Sequence, residues 1–258
     1  MKTSFLTDKR LKGIEVGKPE WFSAQKAMIN SKPLIKKCYD LWYKNFLSDI
    51  ESVPDTQSRV LELGSGSSYL KDMLPNVITS DVIEGVADQI IDARQLPFED
   101  NSLRAIVLSH VFHHIPDVQL FLSEAQRVLV PGGIIAMVEV THTPFGKFFF
   151  STFHPEPYDD ETKDWTFPQA DSMLDSNQAL AWIVFNRDYE KFKNLFPSLL
   201  LEEQKFLPWF SYLLSGGVNL RSFVPKALCP MVSKMDNFLK PLDGVFAIHK
   251  YLRIRKAV

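Results

Sequence analysis

The run Glu62-Leu63-Gly64-Ser65-Gly66-Ser67-Ser68, with Asp81 nineteen positions after Glu62, has the residue types and spacing best suited to ligand chemistry in this chain. Glycines after a short apolar run let the backbone turn tightly, and a ligand can approach with no Cβ in its way. A turn built for a dinucleotide would carry glycine at its sixth place, so that a pyrophosphate could rest on a helix N-terminus. Tyr69 stands there instead. Glu62, at the carboxyl end of the apolar run, would repel a diphosphate and attract a cation. Asp81 ends the next apolar run, where a carboxylate can accept from both hydroxyls of a ribose. It could also cap the segment that follows. Asp92, in Ile91-Asp92-Ala93, ends a third run and could accept from an adenine amino group or stand as a solvated loop acid.

Histidines supply the second set of reactive groups. His110, His113 and His114 follow a fourth apolar run. A hydroxyl acceptor would need a base within hydrogen-bond reach, and His110 and His113 are the candidates for that role; the alternative is that they cap the next segment. His142 and His154, with eleven residues between them, make no recognised ligand spacing, and no metal is expected. Cys38 and Cys229 likewise form neither a redox motif nor a disulfide framework, which suits a reducing setting.

These residues need a scaffold of alternating elements. Lys32 to Ile50 places Leu34, Ile35, Cys38, Leu41, Trp42, Phe46 and Leu47 at steps of three and four, the stripe of an amphipathic helix. Arg59–Leu63, Val77–Val82, Gln89–Asp92, Ala105–Ser109 and Ile134–Val140 read as strands. Helices are expected after the glycine turn, at Ile83–Ala87 and at Val118–Val130, and Pro131-Gly132-Gly133 turns the chain into the fifth strand. Apolar strands alternating with helices predict an α/β fold, a Rossmann-like, mostly parallel sheet covered on both faces. Farther on, Phe145–Phe153 and Ala179–Phe196 read as helical, and Leu199–Leu207 and Val245–Ile254 as final strands. The expected organisation is one integrated domain: a helical segment 1–55, a ligand-binding core 56–141, an aromatic cap 142–198, and final strands 199–258 with an apolar, basic insertion.

Three further segments carry a resemblance. They are Leu96-Pro97-Phe98-Glu99-Asp100-Asn101-Ser102-Leu103, then Leu108 to Asp117 with its His-His-Ile-Pro-Asp ending, then Arg127-Val128-Leu129-Val130-Pro131-Gly132-Gly133. With the glycine turn, in this order and at these intervals, Val60 to Val140 resembles the class I S-adenosylmethionine-dependent methyltransferases, in particular their small-molecule subgroup. The resemblance implies the class I methyltransferase architecture, S-adenosyl-L-methionine as cofactor, and methyl transfer as the activity. It also implies positions: Glu62, Gly64, Ser65 and Gly66 at the methionine end, Asp81 and Val82 at the ribose, Asp92 and Ala93 at the adenine. Ser109 and His110 would face the sulfonium and the acceptor. Two features depart from the family pattern. Ser68 replaces its third glycine, and the interval from Asp81 to Asp92 shortens the intervening helix. They support a rival reading, a non-catalytic scaffold that keeps the fold.

Composition bounds the partner. Residues 205–258 carry a charge of +7 and the preceding 204 carry −9, while 21 of the 32 aromatic residues follow Thr141. The net charge of −2 argues against a general nucleic-acid binder. An aromatic second half favours a small, apolar, aromatic or lipid-linked acceptor. Between Pro208 and Pro241, rings and aliphatics interleave with Arg221, Lys226, Lys234 and Lys240, the pattern of a segment lying on an anionic bilayer; it is also the pattern of a packed cap or dimer face. No membrane span or signal peptide is expected, so the location read from the sequence is cytoplasmic, with contact at a membrane surface through 208–241 as an option.

Overall fold

The computed structural model describes residues 6–66, 69–168 and 175–258. Two helices, α1 (Pro19–Ser31) and α2 (Pro33–Glu51), precede the sheet. Each has proline in its first turn, where the missing N–H costs nothing. The buried stripe of α2 is Leu34, Ile35, Cys38, Trp42, Phe46 and Ile50, extended by Tyr43. Leu41, assigned to that stripe by spacing, faces outward.

Seven strands follow: β1 (Arg59–Leu63), β2 (Ile78–Asp81), β3 (Gln89–Ile90), β4 (Leu103–Ser109), β5 (Leu129–Val140), β6 (Leu199–Phe206) and β7 (His249–Lys256). They form one sheet in the order β3-β2-β1-β4-β5-β7-β6. The first five are parallel, and β7 runs antiparallel to both β5 and β6. Helix α3 (Val118–Val128) connects β4 to β5, with Asp117 capping it by accepting from Leu120 N. This is the mostly parallel α/β sheet expected from the alternation of apolar runs.

Successive residues of the central strands feed two cores. Leu61, Leu63, Ile106, Leu108, Ile135 and Met137 pack toward α3 and the segment 179–196. Their neighbours Val60, Ala105, Val107, Ile134, Ala136 and Val138 pack toward Trp42, Phe46 and Ile50 of α2. Burial on both faces explains why these strands read as continuous apolar runs.

Several boundaries differ from the sequence reading. No helix forms at Ile83–Ala87, where the chain makes bends and turns. Only seven residues join β2 to β3, too few for a helical crossover between parallel strands, and β3 itself shrinks to two residues. After the glycine turn, the described chain makes only a single short turn, Leu70–Asp72, and Ser67 and Ser68 lie outside the described residues. Pro131-Gly132-Gly133 sits within β5 as an irregularity in its pairing with β4, between the pairs Leu103–Leu129 and Ala105–Ile134. The segment 179–196 divides into α5 (Leu180–Trp182), a π turn (Ile183–Arg187) and α6 (Tyr189–Leu195). The final strand begins at His249, because Asp243–Phe246 closes into a helical turn.

Two further helices, α4 (Pro144–Phe153) and α7 (Phe210–Ser215), stand beyond the carboxyl ends of the strands. Strand order reverses between β1 and β4, and ligands of open α/β sheets bind outside the strand ends at such a point.

Candidate active site

A cavity of about 760 Å³ opens at that reversal point. Leu63, Gly64, Ser65 and Gly66 line one end with Asp81, Val82, Asp92 and Ala93, and Ser109 and His110 stand at the centre. The far end is walled by Phe149, Phe150 and Phe153 of α4, by Tyr212, and by His249. Among the described residues, its lining includes no lysine or arginine, while Asp81, Asp92 and Glu156 all contribute to it. Such a wall disfavours a diphosphate and suits a cationic ligand.

The glycine turn is held from below. Ser65 N donates to Ser80 O at 2.8 Å and Ser80 N donates to Ser65 Oγ at 3.0 Å, tying the turn to β2. Asp81 Oδ2 accepts from Gly66 N at 3.2 Å, and its Oδ1 accepts from Ile83 N at 3.1 Å. Asp81 therefore caps the segment after it and braces the turn before it, with lone pairs left toward the cavity. Burial raises its carboxyl above the ordinary range, against the pull of those N–H groups. Gly64 has φ +59°, and a Cβ there would meet Val111 Cγ2 at 2.5 Å, so glycine is required on both counts.

Glu62 lies buried beneath this end and is not itself part of the lining. Tyr43 Oη donates to its Oε1 at 3.2 Å, and its Oε2 has no hydrogen-bond partner among the described residues. Burial pushes its carboxyl up to about 8. A buried carboxylate oxygen with no donor is a costly arrangement that a cationic ligand would relieve. Asp92 is less free than its sequence position suggests, because Arg94 Nη2 lies 2.6 Å from its Oδ2 and holds its carboxyl below the usual range.

The two candidate bases differ sharply. His110 adopts φ +58°, an uncommon conformation for a residue with a side chain. Its ring lies 5.2 Å from Trp42 and 4.6 Å from His249, and its Nε2 is buried without a partner among the described residues. Burial pushes it down to about 4, so the ring is neutral. His113 Nδ1, by contrast, lies 2.5 Å from Glu139 Oε2, and its Nε2 lies 3.4 Å from Glu156 Oε2. Burial alone would push it down, but these carboxylates more than offset that and hold it up at about 10. With both nitrogens facing carboxylates, His113 is held toward its cationic form, which favours His110 over it for the role of a base.

The structure adds residues that the sequence pattern missed. Phe22 and Gln25 of α1 and Tyr39 and Tyr43 of α2 wall the glycine end. His249 sits opposite Val140 in the sheet, with its ring 4.4 Å from Tyr212 and 6.1 Å from Phe150. Burial holds it well below its ordinary value. No local pattern singles out His249, but Glu139 did leave a signal, as a carboxylate inside the apolar run Ile134–Val140. Of the rings in the aromatic cap expected over 142–198, Phe149, Phe150 and Phe153 of α4 reach the cavity. Trp165 and Phe185 are buried in the core beneath α3, and Trp182 stacks on His142 at 3.9 Å.

Residues 61–137 match the family profile described as a methyltransferase domain. Over 92 residues the chain is 29% identical to the ubiquinone/menaquinone biosynthesis C-methyltransferase of Desulfotalea psychrophila, covering 33% of this chain and 37% of that protein. Over 50 residues it is 40% identical to the demethylmenaquinone methyltransferase of Staphylococcus aureus, covering 19% of this chain and 21% of that one. The matches thus span well under half of these relatives' lengths. A chain from a solved complex containing the Haloferax volcanii Trm112 methyltransferase activator shares the fold, with a TM-score of 0.50 at 14% identity, over 90% of this chain and 97% of that one. The matched segment contains the glycine turn, Asp81, Asp92 and the histidine turn, and the sheet has the expected reversal point, so residues 61–137 carry a methyltransferase domain on a class I, Rossmann-like sheet.

Proposed function

We propose that the chain transfers a methyl group from S-adenosylmethionine to a small, largely apolar acceptor carrying an oxygen on an aromatic or quinone-like ring. One observation carries this reading: a single cavity joins the glycine turn and its carboxylates to a wall of aromatic rings and neutral imidazoles. In the proposal, Asp81 and Asp92 accept from the ribose and adenine, Gly64 and Gly66 let the backbone approach, and Glu62 compensates positive charge at the methionine end. When bound, the cofactor supplies an already activated methyl group. The chain's task is then alignment and exclusion of water, and positioning of this kind contributes about 7–11 kcal/mol. His110 is the candidate to accept a proton from the acceptor, with its unpartnered Nε2 in the cavity wall beside His249. The quinone-related names of the partial relatives favour a ring acceptor.

The test is direct. Calorimetric titration with S-adenosylmethionine should show saturable one-site binding, and mass spectrometry should detect a transferred methyl group across a panel of phenolic and quinol acceptors. Absence of cofactor binding at millimolar ligand would favour the scaffold reading.

Glu62 adds a proton-linked signature. Its carboxyl is raised to about 8 in the free protein, so the folded state holds a proton there at pH 7 that the unfolded chain does not. This group therefore costs stability progressively as pH rises from its unfolded value, near 4.5, to about 8, and the cost is constant above that. A cation bound beside it favours the ionised form, so cofactor binding at pH 7 should release close to one more proton from the wild type than from Glu62→Gln. Calorimetry in buffers of differing ionisation enthalpy measures that difference, and equal release would remove Glu62 from the site.

Surface contact with a membrane also belongs to this proposal. Phe223, Leu228, Met231 and Phe238 are exposed on the 208–241 segment beside Lys226, Lys234 and Lys240, and Phe223 also lines the cavity. Other residues of the segment pack inward: Phe210, Leu214, Val224, Cys229 and Val232 close over Leu34. No described helix is long and apolar enough to cross a membrane. Vesicles containing phosphatidylserine should co-sediment the wild type, and Phe238→Ser should reduce that binding severalfold; equal sedimentation of both with neutral and anionic vesicles counts against the contact.

A further inference from the structure

The acceptor end of the cavity contains a ligand set that methyl transfer alone does not require. His113 and His114 lie on the short turn after β4, and Glu156 comes from the loop after α4. His113 Nε2 and His114 Nε2 each lie 3.4 Å from Glu156 Oε2, and the three atoms are within 4.8 Å of one another. Donors bound tetrahedrally at about 2.0–2.1 Å from a zinc ion stand roughly 3.3–3.4 Å apart. Two edges of such a figure are already present.

Two neighbours strengthen the assignment. Glu139 Oε2 lies 2.5 Å from His113 Nδ1, which fixes the tautomer that presents Nε2, as carboxylates behind metal-bound imidazoles do. Gln178 is 2% exposed and lines the same wall, and its Oε1 is buried without a hydrogen-bond partner among the described residues. Its Nε2 meets Glu156 Oε2, so a half-turn of the amide brings the unpartnered oxygen to the same point as a further donor.

We propose that His113 Nε2, His114 Nε2 and Glu156 Oε2 form a site for one divalent transition ion of the zinc class, oriented by Glu139 and facing the acceptor cavity. Two imidazoles and a carboxylate suit zinc and its neighbours and do not suit magnesium or calcium, which take oxygen ligands. Binding exchanges the proton shared between His113 and Glu156 for the ion and releases it to solvent. An ion there would take an anionic oxygen of the acceptor; that role rests on the methyl-transfer reading, whereas the binding of the ion does not.

The test uses the full chain, stripped with chelator, dialysed against Zn²⁺ and analysed for metal by mass spectrometry, with Co²⁺ absorption as a second readout. One ion per chain is expected. His114→Ala and Glu156→Gln should each weaken uptake at least tenfold, and Glu139→Gln about 10–100-fold. His142→Ala, outside the site, should leave it unchanged. Calorimetric binding of S-adenosylmethionine should survive His114→Ala, which separates loss of the ion site from failure of the cofactor reading. Wild-type chain that retains no stoichiometric ion overturns the proposal, as does equal uptake by folded His114→Ala and Glu156→Gln.

Discussion

Replacement of Asp81 with asparagine should weaken S-adenosylmethionine binding about a hundredfold. Asp81 Oδ2 accepts from Gly66 N, and its Oδ1 accepts from Ile83 N, so the carboxylate joins the glycine turn to the end of β2. Asparagine removes the charge and turns an amide donor toward one of those N–H groups. Hydrogen bonds to a charged group contribute about 1.5–3 kcal/mol each, and the loss of one such bond to the ribose, together with a loosened turn, comes to about 3 kcal/mol. Calorimetry on wild type and variant, with thermal melting as the check on folding, measures this. A dissociation constant within threefold of wild type would show that Asp81 only caps its own segment.

The second large effect is expected at Gly64. Alanine there would place a Cβ 2.5 Å from Val111 Cγ2 and 2.8 Å from Val111 Cγ1, on a backbone with φ +59°. Overpacking costs about 1–3 kcal/mol, and left-handed backbone costs a side-chain-bearing residue roughly 1–2 kcal/mol. Gly64→Ala should therefore lose about 2–5 kcal/mol, a drop in melting temperature of about 4–20 °C for a domain of this size. The pair Gly64→Ala with Val111→Ala should recover the steric part and leave the backbone part, giving favourable coupling in a double-mutant cycle. If Gly64→Ala melts within a degree of wild type, the close packing of the glycine turn against the histidine turn is wrong.

The histidine turn shows most clearly how far local pattern reaches. His110 and His113 look alike in sequence, each following β4 by a few residues. In the structure one ring is neutral among Trp42 and His249, while the other is clamped between Glu139 and Glu156. The partners that decide these charge states come from β5, from the loop after α4 and from the start of β7, and no spacing rule near residue 110 refers to them. The aromatic cap shows the same limit. Phe149 and Trp165 are both rings in the second half of the chain, yet one walls the cavity and the other supports α3 from within the core.

What the sequence determined by itself is what short-range periodicity encodes. Apolar runs buried on both faces required a parallel sheet, and the glycines with Asp81 marked the strand ends at which the cavity opens. Tertiary structure alone decided the length of the β2–β3 connection as a turn, the roofing of the glycine end by Phe22 and Tyr43, and the convergence of His113, His114, Glu139 and Glu156. The reason is physical: backbone propensity acts over a few residues, whereas the charge and exposure of a buried side chain are set by whatever distant segments fold against it.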